Sequence, residues 1–512
     1  MTFFESLLTL MLAAVAMLQV ARRLSLPYPT VMAAAGVAVA AIPGAPVLSI
    51  DPETALALFI APILVDAAFD FPAGAARRLM LPLIVYAVLA VLATAVFVAW
   101  IGWFTMGLPV AAALTLGAIV APPDAAAATA VLTNLPVAKR VAGVLKGESL
   151  FNDATALLLF NAALAAQMSG TFDWGTGARF ALAAPGGIAF GIAYGLLVRR
   201  VQPLVENTVG GTLLQFLHAF VAWIVAEHLG LSAVLATVAS AMTIATSAGD
   251  RTSPRMRVHS YAVWTTVVFL LNVFAFLLMG EQARNIVTAM SGQELINAGW
   301  LALWVVLGVV ATRLLIAFGY RGVVLWRVNR GHRMKPISLA ETFLIGWSGM
   351  RGLVTLATAF ALPAAFPQRD TVVLAAFAVV LATVVIQGAT LTPLIRALGI
   401  GREQEAREEI DRARLDLAEA ALHRLEGEQG DAADQLRREY QDIRDGMSGK
   451  DPDTLNRRHG LAIAAVLAQR ERLETLRGDQ AISSDTYLLL QEALDWRQLT
   501  VSGDEDRRIE EN

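Results

Sequence analysis

The chain of 512 residues has no cysteine, so disulfide frameworks and thiolate chemistry are excluded. Charge is scarce as well: Asp, Glu, Lys and Arg make up 16% of the residues, and the formal net charge is only -3. Such a balance offers no broad basic field to attract a nucleic acid. The six histidines show no metal-ligand spacing. His218, alone in an apolar stretch, reads as a packed or hydrogen-bonded residue. There is no P-loop, no HExxH, no Gly-x-Gly-x-x-Gly and no Ser/His/Asp constellation, so the sequence points to no enzyme and calls for no cofactor. What fills the space is apolar: 56% of residues are hydrophobic, far too many for a water-soluble globular chain of this length. The expected solvent is a bilayer.

About 20 apolar residues cross the hydrocarbon. The chain up to Leu398 divides into thirteen such runs, near 3–21, 29–48, 54–70, 79–104, 109–133, 141–168, 178–198, 211–229, 231–247, 261–281, 295–320, 338–363 and 371–395. The first, Phe3 to Ala21, has no small-residue cleavage site and reads as a retained helix. With thirteen spans every second loop is basic: Arg22 and Arg23, Arg77 and Arg78, Lys139 and Arg140, Arg199 and Arg200, Arg251 with Arg255 and Arg257, and the cluster from Arg327 to Lys335. The opposite loops hold little beyond Arg179, Arg284 and Arg369. Positive charge is retained on the cytoplasmic side, so this alternation predicts an N-terminus outside and a C-terminus in the cytoplasm of a cell (inner) membrane protein. After Gly399 the composition turns to Glu, Arg, Asp, Gln and Ala, which predicts a helical cytoplasmic domain over 399–512 beside a transmembrane domain over 1–398. Within the tail, 406–425 and 486–499 read as amphipathic helices, with breaks at 427–430 and 446–452.

A charge at the bilayer centre costs about 2.5 to 3.5 kcal/mol even on the mildest scale, so the exceptions mark function. They are Asp66 and Asp70 in the third run, Asp124 in the fifth, Lys146, Glu148 and Asp153 in the sixth, Arg313 in the eleventh, and Glu341 and Arg351 in the twelfth. Asp70, Lys146 and Glu341 stand near helix ends, where an interfacial or structural role accounts for them. Asp124, Glu148, Asp153, Arg313 and Arg351 lie well inside.

Two of these runs are interrupted. Pro122 and Pro123 precede Asp124 in mid-span, removing two backbone donors and clashing with the preceding turn, so the fifth helix must break. The stretch from Gly346 to Gly352 is a corresponding weakness in the twelfth. Broken helices at matching positions of two halves point to a transporter binding site. If runs 1 to 6 and 8 to 13 are inverted six-helix repeats, the fifth pairs with the twelfth, and Asp124 and Arg351 are placed to compensate the exposed helix termini. In the sixth run Ser149, Asn152 and Asp153 share a face, with Glu148 one turn before Asn152. Carboxylate, amide and hydroxyl oxygens suit a hard cation such as sodium; a transition metal would call for His or Cys. No resident metal is implied.

The run Gly147-Glu148-Ser149-Leu150-Phe151-Asn152-Asp153 resembles the signature of the monovalent cation/proton antiporter family 1, the sodium/proton exchangers, in its bacterial branch. Phe59 to Asp66, Ala118 to Ala125, Ala226 to Ala236, Trp264 to Gly280 and Trp347 to Gly352 are similar to other family segments, so the likeness runs from about 3 to 398. It implies an all-α polytopic membrane protein of thirteen helices with broken helices five and twelve crossing, a homodimer, and elevator-type alternating access. It implies that Asp153 binds cation or proton, with Asn152 beside it and Asp124, Ser149 and the Pro123 carbonyl completing the shell. Glu148 would pair with Arg313 and orient Asn152, and Arg351 would stabilise the break in helix twelve. Asn before the aspartate implies electroneutral exchange of one cation for one proton. One departure is Pro123, where the family often has Thr, so that hydroxyl is absent here. Within this class K+ or Li+ stands as an alternative to Na+. A cation channel, or an intramembrane aspartyl protease using Asp124 with Asp153, represents a different class.

Overall fold

A computed structural model describes residues 3–24, 30, 31, 34, 52–69, 71, 73–124, 139–170, 174–205, 208–251, 254–332, 336–400, 403–447, 452–479, 481 and 483–501. Among these residues the structure is helical throughout, with no strand. Among the described residues six helices are long and apolar enough to cross a membrane: Met80–Met106, Arg140–Ser169, Ala181–Val205, Gly210–His228, Gly292–Asn329 and Arg369–Leu398. Shorter apolar helical segments lie at Leu56–Phe69, Val110–Val120, Ala233–Thr246 and Ser260–Phe276. Most of the second expected span and residues 125–133 of the fifth lie outside the described residues, as does Asp70. The apolar runs understate some helices, because a helix continues past the hydrocarbon on polar residues. Pro254–Ala289 and Gly292–Asn329 reach 36 and 38 residues where 261–281 and 295–320 were the apolar windows. Ser291 and Glu294 form a capping box at the start of the latter, and Ser338 with Glu341 form another at Leu339–Trp347. Glu341 is therefore a cap.

The membrane unit consists of two helix bundles. Helices 80–106, 110–120, 139–169, 292–329, 339–347, 353–360 and 369–398 pack densely on one another, and helices 52–69, 174–205, 209–228 and 233–251 do the same. Contacts between the groups are sparse and fall mainly to helices 52–69, 139–169, 254–289 and 353–360. Helix 254–289 packs on both groups, on helix 52–69 and on helices 353–360 and 369–398, and its Trp264 ring stacks on Phe216 with centroids 4.6 Å apart.

Close approach within the second bundle depends on the spacing Gly187, Gly191 and Gly195, one turn apart on helix 174–205. Their bare backbone lies on helix 233–251, so a Cβ on Gly187 would come within 2.6 Å of the Ser232 carbonyl and one on Gly195 within 2.9 Å of the Ser240 carbonyl; Gly191 faces Ala236. In a membrane, where lipid tails are as apolar as leucine, such small-residue stripes let dispersion and backbone contact hold helices together.

The chain separates into two compact units, 1–401 and 402–511. The second contains helices Glu403–Arg424, Asp431–Met447, Pro452–Gly478 and Ser484–Val501, each packed on the next. Gly427 and Gly430, both at positive φ, turn the chain between the first two. Tyr487 donates to Glu474 at 2.5 Å and lies under the Arg477 guanidinium, closing the last pair. The carboxylate accepting that proton holds the Tyr487 hydroxyl above the usual phenol range.

Gly191→Leu should overpack the helix pair and lower stability by about 1–3 kcal/mol. Gly299→Leu, at a glycine with open space around its Cβ position, should leave it unchanged. Thermal unfolding midpoints in detergent check both, and equal midpoints for the two variants would contradict the packing assigned to the stripe.

Candidate functional site

The twelfth span is broken: helix Leu339–Trp347 ends, residues 348–352 are not helical, and helix Leu353–Phe360 begins. Helix Val110–Val120 likewise stops before Pro122 and Pro123. Ends of three half-helices therefore meet inside the bundle, each leaving backbone groups without intrahelical partners and a partial charge on the axis. Two side chains exchange across the junction. Arg351, 1% exposed, donates from Nε to the Val120 carbonyl at 3.0 Å and from Nη2 to the Ala121 carbonyl at 3.2 Å, so a cation meets the negative end of helix 110–120. Its Nη1 also bonds the Gly349 carbonyl within its own break. In return Asp124 accepts at Oδ2 from the Leu353 N–H at 3.3 Å, putting an anion at the positive end of helix 353–360. The main chains join directly as well, the Asp124 N–H donating to the Met350 carbonyl at 2.7 Å.

Thr383 stabilises the same junction from outside. Its Oγ1 accepts from the Arg351 N–H at 3.0 Å and donates to the Val379 carbonyl, and it opens the π-helical turn Thr383–Gln387. Gly352 is required by proximity, since a Cβ there would fall onto the Asp124 carboxylate.

Helix Lys139–Ser169 crosses beside the junction and carries the sixth-span cluster. Glu148 and Arg313, 1% and 3% exposed, form a two-pronged ion pair, with Nη1 to Oε1 and Nη2 to Oε2 at 3.0 Å. The Arg313 Nε donates to the Ile345 carbonyl at 3.2 Å, so this residue also satisfies the end of helix 339–347. Asn152 is fully buried and donates from Nδ2 to the Pro123 carbonyl at 2.8 Å, while its Oδ1 has no hydrogen-bond partner. One lone pair of the Pro123 carbonyl is thereby used.

A cavity of about 150 Å³ opens against this junction. Asp124, Ser149, Asp153 and Pro123 line it; Glu148, Asn152, Arg313 and Arg351 do not, and stand behind its wall. Asp66 and Lys146 also line it. Lys146 is exposed and Asp153 buried, so the cavity leads from a buried carboxylate toward the end of helix 139–169 that carries Arg140. That is a basic end: Tyr320 lies near both Arg140 and Arg327.

Residues not singled out from the sequence complete the lining, among them Ile63, Val268, Asn272 and Thr355. A search confined to ionisable residues passes over neutral amides and hydroxyls. Asn272 in mid-span of an apolar helix was the signal that could have found them. The cavity walls come from both bundles, from helix 52–69 of one, from helix 139–169 with the two breaks of the other, and from helix 254–289, which packs on both.

The chain matches the family described as sodium/hydrogen exchanger, transmembrane, over residues 8–397. It belongs to the sodium/hydrogen exchanger family. Among relatives, an antiporter of Bacillus pumilus named for sodium, potassium, lithium and rubidium against H+ is 29% identical over 72% of this chain, and the match spans 58% of that protein's length. An uncharacterized Na+/H+ exchanger of Mycobacterium tuberculosis is 30% identical over 91% of this chain and 90% of its own. Of solved structures, the sodium proton antiporter MjNhaP1 from Methanocaldococcus jannaschii at pH 8 matches with a TM-score of 0.57, covering 76% of this chain and all of that one. At 19% identity this likeness establishes the exchanger fold.

Glu148→Gln should leave the Arg313 charge buried and unpaired, lowering stability by about 3–5 kcal/mol. Replacing both partners together, Glu148→Leu with Arg313→Met, should recover most of that loss, because no lone charge remains. Detergent-based thermal unfolding reads the difference; a single variant as stable as the parent would show that the pair does not hold the wall.

Proposed function

We propose that the protein is a secondary active antiporter that exchanges a monovalent cation, Na+ first, for H+ across the cell (inner) membrane, one for one. The observation that carries this reading is the placement of Asp153, Asp124, Ser149 and Pro123 on one cavity at the junction of two broken helices. These are hard oxygen donors, and the volume suffices for a cation that keeps part of its hydration shell.

The two carboxylates differ in their surroundings. Asp124 faces the start of helix 353–360 and accepts one of its N–H groups, so its negative charge is already answered by the protein. Asp153 is the buried carboxylate on which the exchange turns, because a bare charge withdrawn from water is costly and either a proton or a cation removes it. An occupied site is neutral and can be carried across; an empty one is held back. A single exchangeable carboxylate makes the cycle electroneutral. Glu148, Asn152, Arg313 and Arg351 act as positioning residues that keep the wall and the half-helix ends in register.

Sparse contact between the two bundles supports an elevator-type movement of the first, with Asp153, against the second. The paired breaks support an inverted-repeat architecture of about thirteen spans. The reading includes a homodimer, an outside N-terminus, a cytoplasmic helical tail over 399–512, and transport without catalysis or cofactor. A broader cation range, with K+ and Li+, is favoured by the name of the Bacillus pumilus relative.

In proteoliposomes, Asp153→Asn should abolish cation-driven proton movement while the protein keeps the elution profile and thermal midpoint of the parent; continued exchange would reject the assignment. Parallel chloride salts of Na+, K+ and Li+ should rank Na+ first. An imposed voltage should leave the rate unchanged, and a voltage-dependent rate would contradict one-for-one exchange.

A further inference from the structure

The last span contains a π-helical turn, Thr383–Gln387, and such turns are rare and recur at functional sites. A residue from far away in the sequence reaches into it. Thr30, buried in the second expected span, donates from Oγ1 to the Val384 carbonyl at 3.1 Å, an acceptor that the Gly388 N–H also uses. Gly388 makes room for this hydroxyl, because a Cβ there would lie 2.5 Å from Thr30 Oγ1.

The same stretch of the last span holds the break in the twelfth. Thr383, next to Val384, accepts the Arg351 N–H at 3.0 Å, and Thr390, just past the turn, accepts from Nε1 of Trp347, the last residue of helix 339–347, at 3.0 Å. Met350 packs there too, its Sδ lying 3.6 Å from where a Gly388 Cβ would stand. These break residues fix the oxygen donors of the site: the Met350 carbonyl accepts the Asp124 N–H, and the Arg351 guanidinium caps the Val120 and Ala121 carbonyls immediately before Pro122 and Pro123. Asp124 and Pro123 line the cavity, whereas Thr30, Thr383 and Gly388 are not among its lining residues. Any influence of Thr30 on the cavity therefore passes through the turn.

Resting on the antiport reading, we propose that Thr30 is a positioning residue for cation binding: by holding the Val384 carbonyl it keeps the π-helical turn in the register at which Thr383 receives the Arg351 N–H, and so sets where Asp124 and Pro123 stand on the cavity. Without that hydroxyl the Val384 carbonyl answers only to its own helix, and the turn is free to relax toward the commoner α-helical ladder. A register change moves Thr383 and withdraws the acceptor from a buried N–H, which costs more than the bond itself, so the break shifts to recover a partner. The charge of an occupied site is unaltered by this. The loss therefore falls on cation affinity and leaves the crossing step alone.

Na+ KM and maximal rate in proteoliposomes, per folded protein recovered after size exclusion, test this. Thr30→Val keeps the shape and removes the donor; it should raise KM about fivefold, the ratio for one hydrogen bond, with the maximal rate within about twofold of the parent. Thr30→Ser should restore the parent KM. Gly388→Ala, whose Cβ displaces the Thr30 hydroxyl, should reproduce the rise, and it serves in place of Thr30→Val should that variant insert poorly. Thr383→Val should raise KM at least as far, and adding Thr30→Val to it should raise KM no further, because both act through one contact. An unchanged KM in Thr30→Val, an equal rise in Thr30→Ser, a double variant whose rise is the product of the two single ones, or a fall in maximal rate alone would each overturn the inference. Any of these, together with an inactive Asp153→Asn variant, removes the role of Thr30 and leaves the antiport reading standing. Exchange persisting in Asp153→Asn would instead remove that reading itself.

Discussion

Everything at the site depends on a reciprocal exchange between two interrupted helices. A break inside a membrane strands backbone donors and acceptors where water is scarce, and each stranded group costs several kcal/mol. Here the carbonyls ending helix 110–120 receive the Arg351 guanidinium, and the amide opening helix 353–360 receives the Asp124 carboxylate. Each side chain is itself a charge that apolar surroundings would reject. Each is admitted because it meets the opposite partial charge of a helix end belonging to the other break. Neither interruption is tenable alone, so the two form one structural unit.

Around that unit the remaining buried charges fall into a hierarchy. Arg313 repeats the logic of Arg351, serving a helix end at Ile345 while its remaining nitrogens hold Glu148. Glu148 and Arg313 neutralise one another, Asp124 is answered by a backbone N–H, and Asp153 lines the cavity, where the proposed exchange would leave its charge to a cation or a proton. Arg351 has four hydrogen bonds, whereas Asn152 behind the cavity wall and Asn272 and Thr355 among its lining residues each keep an atom without a partner.

Much of this was legible in the residues. Mid-span Pro122 and Pro123 announce a break because they lack N–H groups, and the glycines from 346 to 352 announce its counterpart through weak helix propensity. Glu148 and Arg313 were legible as exceptions to apolarity. Three things were not. The Glu148 and Asn152 side chains stand on the face that suggests cation contact, yet lie behind the cavity wall, because a helical periodicity of one turn cannot tell which neighbour lies beyond the face. Lys146, read as interfacial or structural, lines the cavity, since its position depends on the crossing of helix 139–169 with the breaks. The neutral polar lining from Asn272 and Thr355 has no charge to set it apart from the common hydroxyls and amides of membrane helices.

By itself the sequence determined the solvent, the run of apolar spans, the two interruptions and the ionisable residues that have no place in lipid, because each is a local property of a segment measured against the cost of burying it. The family resemblance was likewise a matter of contiguous motifs. Only the tertiary structure decided which charges cancel, which carbonyl a guanidinium caps, and which polar atoms remain without partners. Those outcomes depend on residues some thirty to more than two hundred positions apart being brought within hydrogen-bond reach, as with Asn152 and Pro123 or Arg351 and Val120. Pairing energies at such separations follow from how helices cross, and the crossing is a property of the packed bundle.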